Sequence, residues 1–189
     1  TRSEIINATD KYDGHQYLIN RLSKNGQRYL YYTVKEALKK GLPVELSLIP
    51  FVESQFDPYA QSSTGASGIW QFIPSTAREN GLKKNWWYDG RRDILASTEA
   101  AYTFLTSLYE KYDDWLIAIA AYNAGPSRIR REIEKNKSNG LPTDFWSLNL
   151  PRETKAYVPK ILAIVEVIRK PEKYNICLLY TSPSPRDDG

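Results

Sequence analysis

The chain has 189 residues, 41% of them hydrophobic, and 26 Lys and Arg against 22 Asp and Glu give a formal net charge of +4. That length suits one domain with a real core, and the longest apolar run, Trp115 to Tyr122, is far too short to cross a bilayer. With one His (His15) and one Cys (Cys177), an intramolecular disulfide is excluded, an ordinary zinc site and a His-dependent triad are set aside, and neither metal nor cofactor is expected.

The basic balance favours an anionic partner such as nucleic acid, acidic lipid or an acidic wall polymer. Basic residues are scattered through helical segments with no aromatic-basic strip, so nucleic acid is not the expected one. Opening at Thr1 without a charged-then-apolar leader, the chain reads as a processed form or a fragment.

Helical signals run from end to end. Residues 1–34 read as an N-terminal helical extension and 35–176 as the main domain. Leu30, Val34, Ala37 and Leu38 recur at helical spacing, Gly41 stops the segment, and Pro43 suits the first turn of the next, which ends at Glu53. Residues 54–68, with Asp57-Pro58, Ser62-Ser63 and Gly65-Ala66-Ser67-Gly68, read as a loop. A short helix is expected from about Trp70 to Asn80, closed by Gly81. Asp93 reads as the N-cap of a long helix with Ile94, Ala101, Leu105, Leu108 and Tyr112 as its stripe. Asp114 caps another, apolar on every side from Trp115 to Tyr122 and therefore central, ending at Gly125-Pro126. A last helix, Thr154 to Lys170, contains Pro159, which should kink or split it. Residues 177–189, where Ser and Pro alternate before Asp repeats, read as a disordered linker or an artefact of cloning or assembly. No alternating strand pattern of convincing length intervenes, and the class is all-α.

Glu53 ends the apolar stretch Pro50-Phe51-Val52. A carboxyl at the edge of a core is desolvated, which raises its pKa and lets it hold a proton at neutral pH, as a general acid must. Glycoside cleavage calls for such an acid. A helix-terminal carboxylate that is merely solvated or salt-bridged is the plainer reading, but Gln71, Tyr122 and Asn123 stand at other element boundaries where polar groups can converge. Gly65-Ala66-Ser67-Gly68 is no nucleophile elbow, because Ile69 stands where glycine would be needed. It is a turn whose small residues also permit close approach of a sugar. Trp70, Trp86, Trp87 and Trp146 read more readily as packing residues than as sugar platforms. Asp57, the second carboxylate nearest to Glu53 in sequence, reads as turn initiation before Pro58.

Glu53-Ser54, Gly68-Ile69-Trp70-Gln71 and Ala121-Tyr122-Asn123 follow one another in the order of a known pattern, joined by Asn85-Trp86-Trp87-Tyr88-Asp89-Gly90-Arg91-Arg92-Asp93 and Thr143-Asp144-Phe145-Trp146-Ser147-Leu148. On these motifs residues 35–174 resemble the soluble lytic transglycosylase and goose-type lysozyme superfamily (glycoside hydrolase family 23), most closely its membrane-bound lytic transglycosylase D group. The resemblance implies a compact, lysozyme-like helical domain with a substrate cleft. Its substrate would be peptidoglycan glycan strands, cut between N-acetylmuramic acid and N-acetylglucosamine with formation of a 1,6-anhydro ring instead of hydrolysis. It also implies Glu53 as acid and then base, Ser62, Gln71 and Tyr122 lining the sugar site, Asn123 supporting the Tyr122 loop, and Glu153 and Tyr157 as the last polar motif. A monomer in the periplasm or cell envelope follows, with membrane anchoring or LysM repeats in a full-length protein. A hydrolytic lysozyme and a non-catalytic wall-binding domain are the alternatives.

Overall fold

The computed structural model describes residues 26–170. The first 25 positions of the expected extension, His15, Cys177 and the tail over 177–189 lie outside them. The described part is helical, and in place of strands it has isolated bridges, Gln61–Ser67, Ser67–Phe72 and Lys84–Asp89. Among the described residues no helix is long and apolar enough to cross a membrane.

Helix α1 spans Gln27–Lys39 and continues through position 34 without a break. Its inward face follows Thr33 and Ala37, both fully buried, whereas Leu38 is 62% exposed. The expected stripe through Leu38 is therefore rotated, because the α1 backbone is anchored at Thr33, whose carbonyl accepts from the Tyr102 hydroxyl at 2.7 Å. After Gly41 (φ +66°), a 3-10 turn, Val44–Leu48, runs directly into α2, Ile49–Ser54. Gln55 and Phe56 follow in left-handed conformation (φ +55° and +60°), and their N–H groups bond back to Phe51 and Pro50 at 3.0 and 3.3 Å. This closes α2 one turn after its buried face and leaves Glu53 at its mouth.

Helix α3 covers only Pro74–Glu79, shorter than the expected segment from Trp70. Gln71 takes φ +50° and Phe72 bridges to Ser67, so the chain turns through Trp70-Gln71 and starts the helix at Pro74, whose fixed φ suits a first turn. Helix α4, Ile94–Tyr112, is capped as expected by Asp93, which accepts from the Leu95 and Ala96 N–H groups. Helix α5, Trp115–Ala124, is central: Ile117 to Ala121 are buried, and it packs against α4 and the two helices that follow it in the chain. Helix α6, Pro126–Ser138, was not anticipated. A 3-10 turn at Phe145–Ser147 precedes α7, Arg152–Arg169. Pro159 does not split α7, because the turn around it is embedded: Val158, Pro159 and Ile161 are all buried.

Asp114 caps α5 through bonds from Leu116 N (2.7 Å) and Ile117 N (3.2 Å). Asp114→Ala should therefore lower stability by about 1 kcal/mol, seen as a fall of roughly 2–4 °C in thermal midpoint. An unchanged midpoint would mean that the cap contributes nothing.

Candidate active site

Residue Glu53 sits in the last turn of α2, facing a cleft of about 360 Å³ bounded by the 62–76 segment, the C-terminal end of α5 and the start of α7. Its carboxyl Oε1 accepts from the Tyr157 hydroxyl at 2.5 Å. Burial pushes the Glu53 pKa up to about 7, against the opposing hydrogen bond from Tyr157; the Glu153 charge raises it further and Lys160 lowers it. The carboxyl is thus neither fully solvated nor salt-bridged. It divides between acid and base forms near neutral pH. The Tyr157 phenol, buried and beside Glu53, is held well above its ordinary range and stays a donor.

Of the residues singled out from sequence, Ser62, Gln71, Tyr122, Asn123 and Glu153 all line the cleft with Glu53, and Tyr157 reaches it through its hydrogen bond. Ser62 pairs with Thr64 at 2.9 Å and accepts from Ala66 N at 3.0 Å, closing the small-residue turn. The Gln71 amide nitrogen donates to the Gly68 and Ala60 carbonyls at 2.8 and 3.2 Å, which leaves its oxygen free of these contacts. The Tyr122 hydroxyl is spent on the Trp70 carbonyl at 2.7 Å, so the ring, packed near Phe72 and Phe104, lines the cleft more than the hydroxyl does. Asn123 Oδ1 accepts from Thr154 at 2.9 Å, tying the end of α5 to the start of α7. Asp57 accepts from Tyr59 N at 2.8 Å, the bond expected of its turn role.

Three positioning groups were not legible beforehand. Ser54 donates to the Ile69 carbonyl at 2.9 Å, holding the cleft loop against the helix that carries Glu53. Thr154 holds Asn123. Arg91 is buried, pairs with Asp89 at 2.6 Å, and donates to the Gly65 and Phe72 carbonyls at 2.7 and 3.2 Å. Arg91 and Ser54 lay inside motifs already noted, but the contacts that employ them are long-range. Packing accounts for Trp70, which is fully buried, whereas Trp86 and Trp87 are 90% and 68% exposed, against the expectation that they pack. Among the described residues no group of three or more His, Cys, Asp and Glu could hold a metal ion.

The family described as Transglycosylase SLT domain matches residues 31–143. Membrane-bound lytic murein transglycosylase D of Escherichia coli (strain K12) is 44% identical over 175 residues, covering 92% of this chain and 39% of the relative. The chain thus spans about two fifths of that relative's length. Among solved structures, the lytic transglycosylase Slt of Pseudomonas aeruginosa, an inactive glutamate-to-glutamine mutant, aligns at TM-score 0.56 with 26% identity over 77% of this chain and 24% of that one. The 70 kDa soluble lytic transglycosylase of Escherichia coli aligns at TM-score 0.55 and 20% identity, over 86% of this chain and 29% of that one, a likeness of fold.

Proposed function

The chain belongs to the transglycosylase SLT domain family, and from that premise we propose that it is a peptidoglycan lytic transglycosylase with Glu53 as its single acid and base. One observation carries this reading. The Glu53 carboxyl, raised to about 7 by burial, opens onto a polar cleft and receives a hydrogen bond from Tyr157.

Protonated Glu53 gives its proton to the leaving glycosidic oxygen as the bond to the muramic C1 breaks. The resulting carboxylate then takes the proton of the muramic C6 hydroxyl, whose oxygen closes on C1. The products are a free 4-hydroxyl and a 1,6-anhydro ring, and no water is consumed. The nucleophile is part of the substrate and acts at high effective concentration, so the second carboxylate of ordinary glycosidases is not required. Ser62, Gln71 and Glu153 present polar atoms to the sugars, the Tyr122 ring forms an apolar wall, and Asn123 fixes that wall through Thr154. Action on a wall polymer implies placement in the cell envelope.

Mass spectrometry of muropeptides released from purified peptidoglycan tests the reaction: anhydro-muramyl ends are expected. A second reading is favoured by one feature, the carboxylate of Glu153 in the same cleft, which could activate water and give reducing ends. Reducing ends lost in Glu153→Gln would establish that hydrolytic reading instead.

The pH profile provides a further check. The acid form of Glu53 must be present at the start of turnover, so rate should fall as pH rises through about 7. Tyr157→Phe removes the bond that holds the carboxylate form down in energy and should move this limb to higher pH. Glu153→Gln removes a repelling charge and should move it lower. Shifts in the same direction, or none, would contradict the electrostatic origin of the raised pKa.

A further inference from the structure

A second recess, of about 610 Å³, lies outside the cleft and is lined by Tyr59, Lys84, Asn85, Trp86, Trp87 and Arg92, among others. Two tryptophans this exposed are costly in water, and clustered exposed apolar surface marks a binding site. They are also firmly held. Asn85 N donates to the Tyr88 carbonyl at 2.8 Å, Asn85 Oδ1 accepts from Trp87 N and Tyr88 N at 3.1 and 2.8 Å, and Gly90 N donates to the Lys83 carbonyl at 2.8 Å. The Tyr88 hydroxyl then bonds Asp93 at 3.1 Å. The two indoles meet edge to face, 4.5 Å between centroids at 83°, so each fixes the other. Tyr59, 75% exposed, lines the same recess. This turn is ordered without burying its largest side chains, an arrangement that packing alone does not explain.

We propose that the Trp86–Trp87 turn is a second saccharide-binding surface, which grips an N-acetylated glycan strand of the wall polymer away from the point of cleavage. The inference rests on the peptidoglycan reading above. Pyranose rings present a C–H face that stacks on an indole and a polar rim that needs donors and acceptors. The recess supplies both, with Lys84, Asn85 and Arg92 interleaved among the rings. A flat apolar protein partner would strip water from the charged heads of Lys84 and Arg92 and offer nothing polar in its place. Charge in the recess is balanced, Lys84 and Arg92 against Asp89 and Asp93, with Lys84 3.7 Å from Asp89, so recognition rests on the rings and the polar rim and not on net charge. Continuity with the cleft points the same way. Pro58 and Tyr59 line the recess while Ser62 and Gln71, further along the same segment, line the cleft. Arg92, which lines the recess, is tied to that segment by donating to Ser67 Oγ at 3.2 Å and Gln61 Oε1 at 3.5 Å. The 58–71 segment thus walls both recesses, and a polymer lying along it would meet them in turn.

The test compares sedimentation binding of Glu53→Gln and of Glu53→Gln/Trp86→Ala/Trp87→Ala to purified insoluble peptidoglycan. The triple variant should bind at least about fivefold more weakly, the scale of losing a buried tryptophan anchor, with its thermal midpoint kept. Replacement of both tryptophans by Tyr, which keeps a flat ring, should restore most of the binding. Equal binding by the two proteins, or no binding by either, overturns the proposal. Product analysis on the unsubstituted chain is read separately. Tryptophan-dependent binding without anhydro products would refute the proposed activity and leave this surface standing.

Discussion

Replacing Glu53 with Gln is expected to leave a folded protein whose rate of glycan cleavage is lower by roughly two to four orders of magnitude. The amide matches the carboxyl in shape, and the Tyr157 hydroxyl still finds an oxygen to donate to, so the cleft should keep its form. What is lost is a group able to release a proton to the leaving oxygen and recover one from the C6 hydroxyl. The same substitution should stabilise the fold, and the sign follows from linkage. The folded-state pKa of Glu53 is about 7 against an ordinary 4.5. Between these values the folded protein retains a proton that the unfolded chain has released, so stability falls as pH rises from 4.5 to about 7 and levels off above. At about 1.36 kcal/mol per pKa unit, the deficit at pH 8 is about 3 kcal/mol. Glu53→Gln should remove most of it, raising the thermal midpoint by several degrees at pH 8 and hardly at all at pH 4. Turnover close to that of the unsubstituted chain would sink the acid assignment. A midpoint difference independent of pH would sink the raised pKa.

The largest loss of stability should come from Gly68→Ala, at roughly 3 kcal/mol or more. Gly68 has φ +82°, and a Cβ there would stand 1.8 Å from the Arg91 carbonyl oxygen and 2.7 Å from its carbon. Both are backbone atoms, held because Arg91 clamps Gly65, Phe72 and Asp89 through its side chain. Neither partner can swing aside without opening the clamp. Gly65→Ala is the control. Its φ is +84°, nearly the same, but a Cβ meets nothing within 4 Å, so only the backbone strain of about 1 kcal/mol applies. Urea unfolding of the two variants should separate by at least about 2 kcal/mol; equal losses would mean that contact with Arg91 is not what requires glycine at 68.

Local chemistry made much of the helical frame legible. Asp93 and Asp114 cap the helices their positions suggested, Gly125-Pro126 ends the central one, and an apolar run that wraps all sides proved to be the buried axis. What failed was governed by distant contacts or by composition. Helix α6 has Ile129 and Ile133 as its apolar positions in a field of Arg, Lys and Glu, so its stripe was lost among charges. The Trp70 segment looked helical because nothing nearby announces that Gln71 turns left-handed to bridge back toward Ser67. At the site, Glu53 announced itself by its apolar flank. Its partner Tyr157 did not, since no spacing rule joins residues 104 positions apart, and only family resemblance put both in one cleft.

That separation also sets the order in which the protein acquires its chemistry. A chain emerging from the ribosome exposes Glu53 about a hundred residues before Tyr157, and the helix that carries Tyr157 is the last described element to be synthesised. Until that helix docks, the burial that raises the Glu53 pKa to about 7 is incomplete, which favours the ionised carboxylate at neutral pH. The nascent domain is therefore disarmed, and its acid comes into being only when the fold closes.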